Sequence, residues 1–99
     1  MEEKSEPKAR LHAIIHGRVQ GVNFRYYTVH TAQRLGLTGW VANRWNGTVE
    51  TVAEGSREAL DEFRNFLRRG SPSAFVQQVD DKWEASTDEF KRFGVTYER

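Results

Sequence analysis

The sequence has 99 residues, enough for one compact domain with little room for a second. Its 15 basic and 14 acidic residues nearly balance, which argues against a general nucleic-acid binder, because such proteins need a clear excess of Lys and Arg to neutralise phosphates. The absence of cysteine excludes disulfides, thiolate metal sites and a cysteine nucleophile, and it favours a reducing, cytoplasmic compartment.

Structure is predicted to begin after a polar N-terminal segment. Residues 1–10 carry mixed charge and include Pro7, which indicates a flexible tail ahead of a single domain over residues 11–99. From Leu11 to His16 apolar side chains alternate with histidines and Ile14. A period of two is typical of a strand, so we expect a short strand with at least one buried face here.

A loop flanked by glycines, Gly17 to Gly21, separates this strand from the first predicted helix. The helix is expected over residues 23–35, with Asn23 at its N-cap and Gly36 just past its end. Helical spacing predicts an apolar face made of Phe24, Tyr27, Thr31 and Leu35.

The middle of the chain carries a hairpin signal. Residues 37–45 and 48–54 are rich in Trp, Val and Thr, which favour strands. Asn46 and Gly47 join the two segments, and this pair suits the two positive-φ positions of a type I′ turn. We therefore expect a two-residue hairpin turn at Asn46–Gly47.

A second helix is predicted over residues 57–69. Ser56 lies at its N-cap and Gly70 follows its end, while acidic residues near its start and arginines at its end complement the helix dipole. Its expected apolar stripe is Ala59, Leu60, Phe63 and Leu67. Two strands are then predicted, over residues 75–83 and 92–97.

The predicted order is strand, helix, strand, strand, helix, strand, followed by the short last strand. A hairpin between two helix-containing crossovers indicates a split βαβ arrangement. The expected fold class is therefore α+β: a ferredoxin-like βαββαβ sandwich, with two helices on one face of an antiparallel sheet. This fold hosts enzymes, regulatory modules and RNA-binding proteins, so it does not identify the function.

The loop between the first strand and the first helix is the strongest candidate for a binding site. Gly17 and Gly21 allow the backbone to turn sharply and approach a ligand, and successive N–H groups at a helix N-terminus attract anions. Arg25, in the first helical turn, is placed to grip two phosphate oxygens. The alternative is that the glycines only permit a tight turn and that Arg25 is solvated. Spacing alone leaves both interpretations open.

Two strings in this region resemble the signatures of one known family. Residues 17–25, GRVQGVNFR, resemble the acylphosphatase motif G-x-V-Q-G-V-x-F-R, and residues 35–43, LGLTGWVAN, resemble the motif LGL-x-GWV-x-N of the same family. Residues 46–50 and 53–55 continue the likeness in order. The resemblance covers nearly everything from residue 11 to residue 97, and the acylphosphatase fold agrees with the predicted ferredoxin-like sandwich.

The resemblance implies hydrolysis of the carboxyl–phosphate bond of an acyl phosphate, to a carboxylate and inorganic phosphate, without a metal or cofactor. Residues at the matching positions would then act as follows. Arg25 and the backbone of the phosphate-binding loop would hold the phosphate, and Asn43 would orient the attacking water. The loop residues are Gln20, Gly21, Val22, Asn23 and Phe24. Two positions depart from the commoner pattern: Asn23, often aromatic or Gly, and Ala42, often basic, which puts substrate affinity in question.

The histidines, the carboxylate pairs and two tryptophans are expected to have structural or solvated roles rather than chemical ones. The three histidines, His12, His16 and His30, fit no common zinc spacing. The carboxylate pairs, Asp80 with Asp81 and Glu50 with Glu54, are expected at the surface. Trp40 and Trp45 are expected in core or cross-strand packing. No RNP1 string supports an RNA-binding domain.

Two alternatives to the enzyme remain. One is a non-catalytic module that binds phosphate or carbamoyl phosphate, and the other is a protein-interaction domain in which the loop is only a turn. The expected partners are a small-molecule acyl phosphate and inorganic phosphate, without nucleic acid or membrane, since no apolar run approaches the roughly 20 residues of a membrane span. A monomer is expected because the short chain shows no heptad pattern.

Overall fold

The computed structural model describes residues 7–97, which form five strands and two helices in the predicted order. The elements are β1 (Lys8–Arg18), α1 (Phe24–Arg34), β2 (Thr38–Asn43), β3 (Val49–Ser56), α2 (Arg57–Arg69), β4 (Phe75–Ala85) and β5 (Phe93–Val95). The prediction of a ferredoxin-like α+β fold is confirmed.

The five strands form one sheet in the order β4-β1-β3-β2-β5. Three of the four strand pairs are antiparallel, but β5 runs parallel to β2, so the sheet is mixed. The expectation of an antiparallel sheet was therefore wrong at this edge. The reason lies in the strand directions. β4 runs opposite to β2 in the sheet, and β5 runs opposite to β4, so β5 has the same direction as β2.

Both helices cover the same face of the sheet. The β1 side chains that point towards them, Leu11, Ala13 and Ile15, have no exposed surface. Helix α2 packs on β1, β3 and β4, whereas α1 packs on β2 and β5. This arrangement brings the N-terminus of α1 beside the C-terminal end of β2, where the two candidate residues Arg25 and Asn43 lie.

Strand β1 begins earlier than the sequence indicated. Lys8, Ala9 and Arg10, predicted to be part of the tail, pair with Ser56, Gly55 and Glu54 of β3. The pairing to β3, together with the ion pair between Arg10 and Glu54, outweighs the polar composition. Residues 1–6 of the predicted tail lie outside the described residues. At the other end, β5 spans only three residues rather than the predicted 92–97.

Helix α1 buries a different face from the predicted one. Its buried residues are Phe24, Thr28 and Ala32, whereas Tyr27 is 38% exposed. Small side chains let the helix lie close to the sheet. The buried Thr28 hydroxyl is not left without a hydrogen-bond partner, because it donates to the Phe24 carbonyl oxygen at 2.8 Å. The bulkier Tyr27 therefore lies at the side of the helix.

Helix α2 forms as predicted. The Ser56 hydroxyl accepts a hydrogen bond from the Ala59 N–H at 3.1 Å, which is an N-cap interaction. The buried residues are Leu60, Phe63, Phe66 and Leu67, so Phe66 joins the predicted stripe.

The hairpin between β2 and β3 is confirmed, but its turn is not the predicted type. Gly47 has a positive φ of 92°, and Asn46 is not among the residues with positive φ, so a type I′ turn is excluded. The Gly47 N–H donates to the Arg44 carbonyl oxygen at 3.1 Å, and the Asn46 side chain accepts from the Thr48 N–H and hydroxyl. The loop therefore has three residues and ends in a left-handed glycine, the next most common hairpin solution.

Candidate active site

The loop between β1 and α1 curls through two left-handed residues. Gly21 has a φ of 75° and Asn23 has φ 62° and ψ 24°. Val19, 1% exposed, anchors the start of this loop in the core. The Gln20 side-chain amide donates to the carbonyl oxygens of Arg44 and Thr48, both at 2.8 Å, and so ties the loop to the β2–β3 hairpin.

Glycine is required at Gly17 and Gly21 for different structural reasons, and Gly17 lies within β1 rather than in the loop. A Cβ at Gly17 would overlap the carbonyl oxygen of Phe75, because β1 and β4 shift register between His16 and Gly17. A Cβ at Gly21 would point into open space, so only its backbone conformation requires glycine. Gly17 thus serves the sheet, and Gly21 shapes the candidate binding loop.

A cavity of about 510 Å³ lies where this loop, the first turn of α1 and the end of β2 meet. Five of the predicted site residues line it: Gly21, Asn23, Phe24, Arg25 and Asn43. Gln20 and Val22 were also predicted and do not line it. Sequence reasoning missed the remaining wall, which is formed by Val19, Tyr26, Val29 and Val95. Tyr26 and Val95 are more than half exposed and give the cavity an apolar rim beside its polar residues.

The N-terminal end of α1 offers positive charge and free donors to this cavity. Arg25 is half-buried on its wall, and no carboxylate among residues 7–97 forms an ion pair with it. The first turn contains no acidic residue, and Asn23 occupies the N-cap without a side-chain capping bond. The first N–H groups of a helix have no intrahelical partner, so this end can bind an anion.

Asn43 ends β2 on the same face as the buried Val41, opposite the first turn of α1. It is 7% exposed, and within the described part of the chain its buried Oδ1 has no hydrogen-bond partner. A buried polar atom without a partner is costly unless a ligand or water meets it. Because Asn43 lines the cavity, this oxygen can accept a hydrogen bond from a water molecule placed there.

The sequence model of one family, described as acylphosphatase, matches residues 11–95. The chain belongs to the acylphosphatase family. It is 42% identical over 90 residues to an acylphosphatase from Pelotomaculum thermopropionicum, covering 91% of this chain and 98% of that one. An acylphosphatase from Dehalococcoides mccartyi is 48% identical over 88 residues, covering 88% and 97%. The crystal structure of acylphosphatase from Bacillus subtilis superimposes with a TM-score of 0.87 at 38% identity, covering 90% of this chain and 99% of that chain.

The two departures from the commoner acylphosphatase pattern lie in different surroundings. Asn23 lines the cavity, but its side chain makes no capping bond. Ala42 has no exposed surface and precedes Asn43 on the strand, so its side chain points to the opposite face of the sheet. A basic residue at position 42 would therefore not point directly into the cavity.

Two of the three histidines of this acylphosphatase have carboxylate partners outside the cavity, and the third contacts a residue of its wall. His12 Nε2 lies 2.7 Å from Glu50 Oε2, and His16 Nε2 lies 2.9 Å from Asp80 Oδ2, both on the sheet face that the helices leave open. The ring of His30 lies 4.5 Å from that of Tyr26. Between residues 7 and 97 no three His, Asp or Glu side chains come together as a metal site would require.

One carboxylate and one tryptophan contradict the sequence expectations. Glu54, expected at the surface, is 3% exposed, because Arg10 and the segment after β4 cover it. Trp45, expected in packing, is 81% exposed at the hairpin tip. Neither helix of the described chain is long and apolar enough to cross a membrane.

Proposed function

We propose that this acylphosphatase hydrolyses the carboxyl–phosphate bond of an acyl phosphate with Arg25 and Asn43 as its catalytic residues. The backbone of residues 20–24 and the Arg25 guanidinium hold the phosphate, and Asn43 positions the water. One observation carries the assignment: a buried amide oxygen without a partner shares a cavity with a cation that no described carboxylate neutralises.

The proposed reaction is a direct displacement at phosphorus. Asn43 Oδ1 accepts a hydrogen bond from the water, which turns an oxygen lone pair towards the phosphorus atom. The new bond joins the water oxygen to phosphorus, the bond from phosphorus to the acyl oxygen breaks, and the carboxylate leaves with its electron pair. An amide is a poor base, so the water proton passes to a phosphate oxygen of the substrate.

Charge stabilisation and positioning supply most of the catalysis in this proposal. A carboxylate is a good leaving group, so no acid is needed to protonate it. The equatorial phosphate oxygens gain stabilisation from Arg25 and from the N–H groups at the start of α1, and these donors are already in place before the reaction. The nine residues lining the cavity include no carboxylate or imidazole, which supports a reaction that needs no metal.

The test is hydrolysis of benzoyl phosphate in excess chelator by the wild type and two variants. Arg25→Ala is expected to lower kcat/KM by about a hundred- to a thousandfold, the range for losing a donor to a transition-state charge. It also weakens inhibition by inorganic phosphate. Asn43→Ala is expected to lower kcat by about a hundredfold and to leave phosphate inhibition unchanged, because water positioning affects only turnover.

Matched controls separate these roles from general damage. Arg34→Ala removes an exposed arginine from the other end of α1, and Asn65→Ala removes an exposed asparagine from α2. Both should keep wild-type kinetics. Normal turnover by Asn43→Ala would reject the role of Asn43. A folded wild type that binds phosphate but hydrolyses no acyl phosphate would instead support the non-catalytic module.

We further propose that the enzyme acts as a cytoplasmic monomer, with its activity in the domain over residues 11–99 extended by the strand residues 8–10. The absence of cysteine fits a reducing compartment. Sedimentation at the concentration of the activity assay should give the mass of one chain, and removal of residues 1–6 should leave kcat/KM unchanged. A dimer mass would contradict the first expectation.

A further inference from the structure

Ser71, the second residue after the end of α2, contacts the back of the phosphate-binding loop. Ser71 is 3% exposed, and its hydroxyl donates to the Val22 carbonyl oxygen at 2.8 Å, across 49 positions of sequence. Ser71 does not line the cavity of Arg25 and Asn43, and no sequence motif pointed to it. The contact therefore acts on the loop from the side away from the cavity.

This hydrogen bond fixes the direction of one N–H group. The carbonyl of Val22 and the N–H of Asn23 belong to the same planar trans peptide, so they point in opposite directions. With the carbonyl held by Ser71 at the back, the N–H of Asn23 is turned to the other side of the loop. Asn23 lines the cavity, so this side is where the phosphate would bind.

The backbone at this point needs such support. Asn23 is one of two non-glycine residues with positive φ in the described chain, and a left-handed conformation is unfavourable for residues with a Cβ. Its side chain contributes no capping bond that would hold the turn. The hydroxyl of Ser71 is therefore a specific restraint on the peptide that precedes Asn23.

The turn after α2, which carries Ser71, is itself well packed. Gly70 takes a φ of 80°, and a Cβ there would lie 3.1 Å from the ring of Phe24, the first residue of α1. The Ala74 N–H donates to the Ser71 carbonyl oxygen at 3.0 Å. The Phe24 ring also lies 5.9 Å from that of Phe66 near the end of α2. The turn after α2 therefore packs against the first residue of α1.

We propose that Ser71 is a positioning residue for phosphate binding: it aims the Asn23 N–H into the cavity. The inference rests on the proposed function, in which the backbone of residues 20–24 binds the phosphate of the substrate. It adds a residue that touches neither substrate nor water and acts through the Val22–Asn23 peptide.

The first measurement uses the wild type alone. Inorganic phosphate is titrated into ¹⁵N-labelled protein while the amide resonance of Asn23 is followed. A hydrogen bond to phosphate should move the Asn23 proton downfield with the same saturation as the inhibition of benzoyl phosphate hydrolysis. If phosphate inhibits the enzyme but does not change the chemical shift of the Asn23 amide, the inference is overturned and the proposed function still stands.

The second measurement compares Ser71→Ala with a matched control. The variant should raise the inhibition constant of phosphate about tenfold, equivalent to about 1.4 kcal/mol, and reduce the downfield shift of Asn23. Thr51→Val removes another buried hydroxyl that donates to a backbone carbonyl, that of Trp40 at 2.7 Å, so it should lower the melting temperature similarly without changing phosphate inhibition. Ser71→Thr, which keeps the hydroxyl, should restore the affinity.

These outcomes distinguish a failure of the proposed role of Ser71 from a failure of the proposed function. An unchanged phosphate inhibition constant in folded Ser71→Ala, or an equal loss of affinity in Thr51→Val, overturns the role of Ser71. A wild type that neither binds phosphate nor hydrolyses benzoyl phosphate removes the proposed function itself. If Ser71→Ala does not fold, the wild-type titration still decides whether the Asn23 N–H binds phosphate, and a negative result there overturns the inference.

Discussion

Asn23 is proposed to serve the candidate site through its backbone alone. It lines the cavity and takes a left-handed conformation, yet its side chain makes no capping bond. Glycine adopts this conformation without the steric penalty of a Cβ. The proposed role of Asn23 depends on its N–H group, which every residue except proline supplies.

We therefore expect Asn23→Gly to keep wild-type kcat/KM for benzoyl phosphate and to keep or slightly raise stability. Asn23→Ala should also keep activity but lower the free energy of unfolding by about 1 kcal/mol, since alanine tolerates positive φ less well than asparagine. Urea unfolding and steady-state kinetics of the two variants measure both quantities. Loss of turnover in the stable Asn23→Gly variant would show that the side chain contacts the substrate.

Several residues at the site could be anticipated from sequence and others could not. The glycine-flanked loop before a helix pointed to an anion site near Arg25, because local chain geometry controls that feature. Asn43 was assigned only through the family resemblance, since its place beside Arg25 depends on how β2 and α1 pack. Ser71 and Val95 carried no signal, because long-range packing alone brings them to the loop and cavity.

At the scale of elements, the loop before α1 and the β2–β3 hairpin behave as one connected unit. Gln20 donates from one side-chain amide to two backbone carbonyls of the hairpin, those of Arg44 and Thr48. Arg44 directly follows Asn43 in the chain. The distance between the proposed phosphate site and the proposed water-positioning residue is thus set partly by this connection.

Gln20→Leu should lower kcat by about tenfold and change phosphate inhibition little, because a small displacement of Asn43 relative to the phosphate affects the chemical step more than binding. Gln33→Leu is the matched control: its amide donates to one carbonyl, that of Phe93, at 3.4 Å. That variant should keep wild-type kcat. Equal kinetics for Gln20→Leu and the wild type would mean that the hairpin holds its position without this contact.

Element boundaries and faces were predictable to different degrees, for identifiable reasons. The ends of α2 followed from Ser56 and Gly70, which act locally through a cap and a positive φ. The buried face of α1 was predicted wrongly because its small residues, Thr28 and Ala32, are selected by close approach to the sheet rather than by hydrophobicity. The turn at Gly47 required knowledge of the Asn46 side-chain contacts, which no dipeptide rule contains.

At the scale of the whole molecule, Glu54 joins parts of the chain that lie far apart in sequence. It accepts hydrogen bonds from Arg10 of β1 at 2.7 Å, from the Ser86 hydroxyl at 3.0 Å, and from the N–H groups of Thr87 at 3.0 Å and Asp88 at 2.9 Å. These hydrogen bonds hold the segment between β4 and β5 against Glu54 of β3. Burial raises the pKa of Glu54, but the hydrogen bonds from Thr87, Arg10, Ser86 and Asp88 outweigh this effect and bring the pKa to about 2.

A carboxylate with a lowered pKa stabilises the fold above its unfolded pKa of about 4.5, and this stabilisation is lost as the pH falls towards about 2. The full effect corresponds to about 3 kcal/mol. We expect Glu54→Gln to lower the free energy of unfolding at pH 7 by roughly this amount. The gap between wild type and variant should shrink between pH 4.5 and pH 2, because the wild type itself becomes protonated there.

Urea unfolding at a series of pH values measures this dependence, with Glu62→Gln, an exposed carboxylate on α2, as the control. Glu62→Gln should follow the wild-type curve at every pH. Because Arg10 remains charged throughout, a gap that closes in acid identifies the Glu54 carboxylate as the titrating group. A gap that stays constant from pH 7 to pH 2 would instead assign the loss to altered packing of the amide, and the segment after β4 would then not be held by charge.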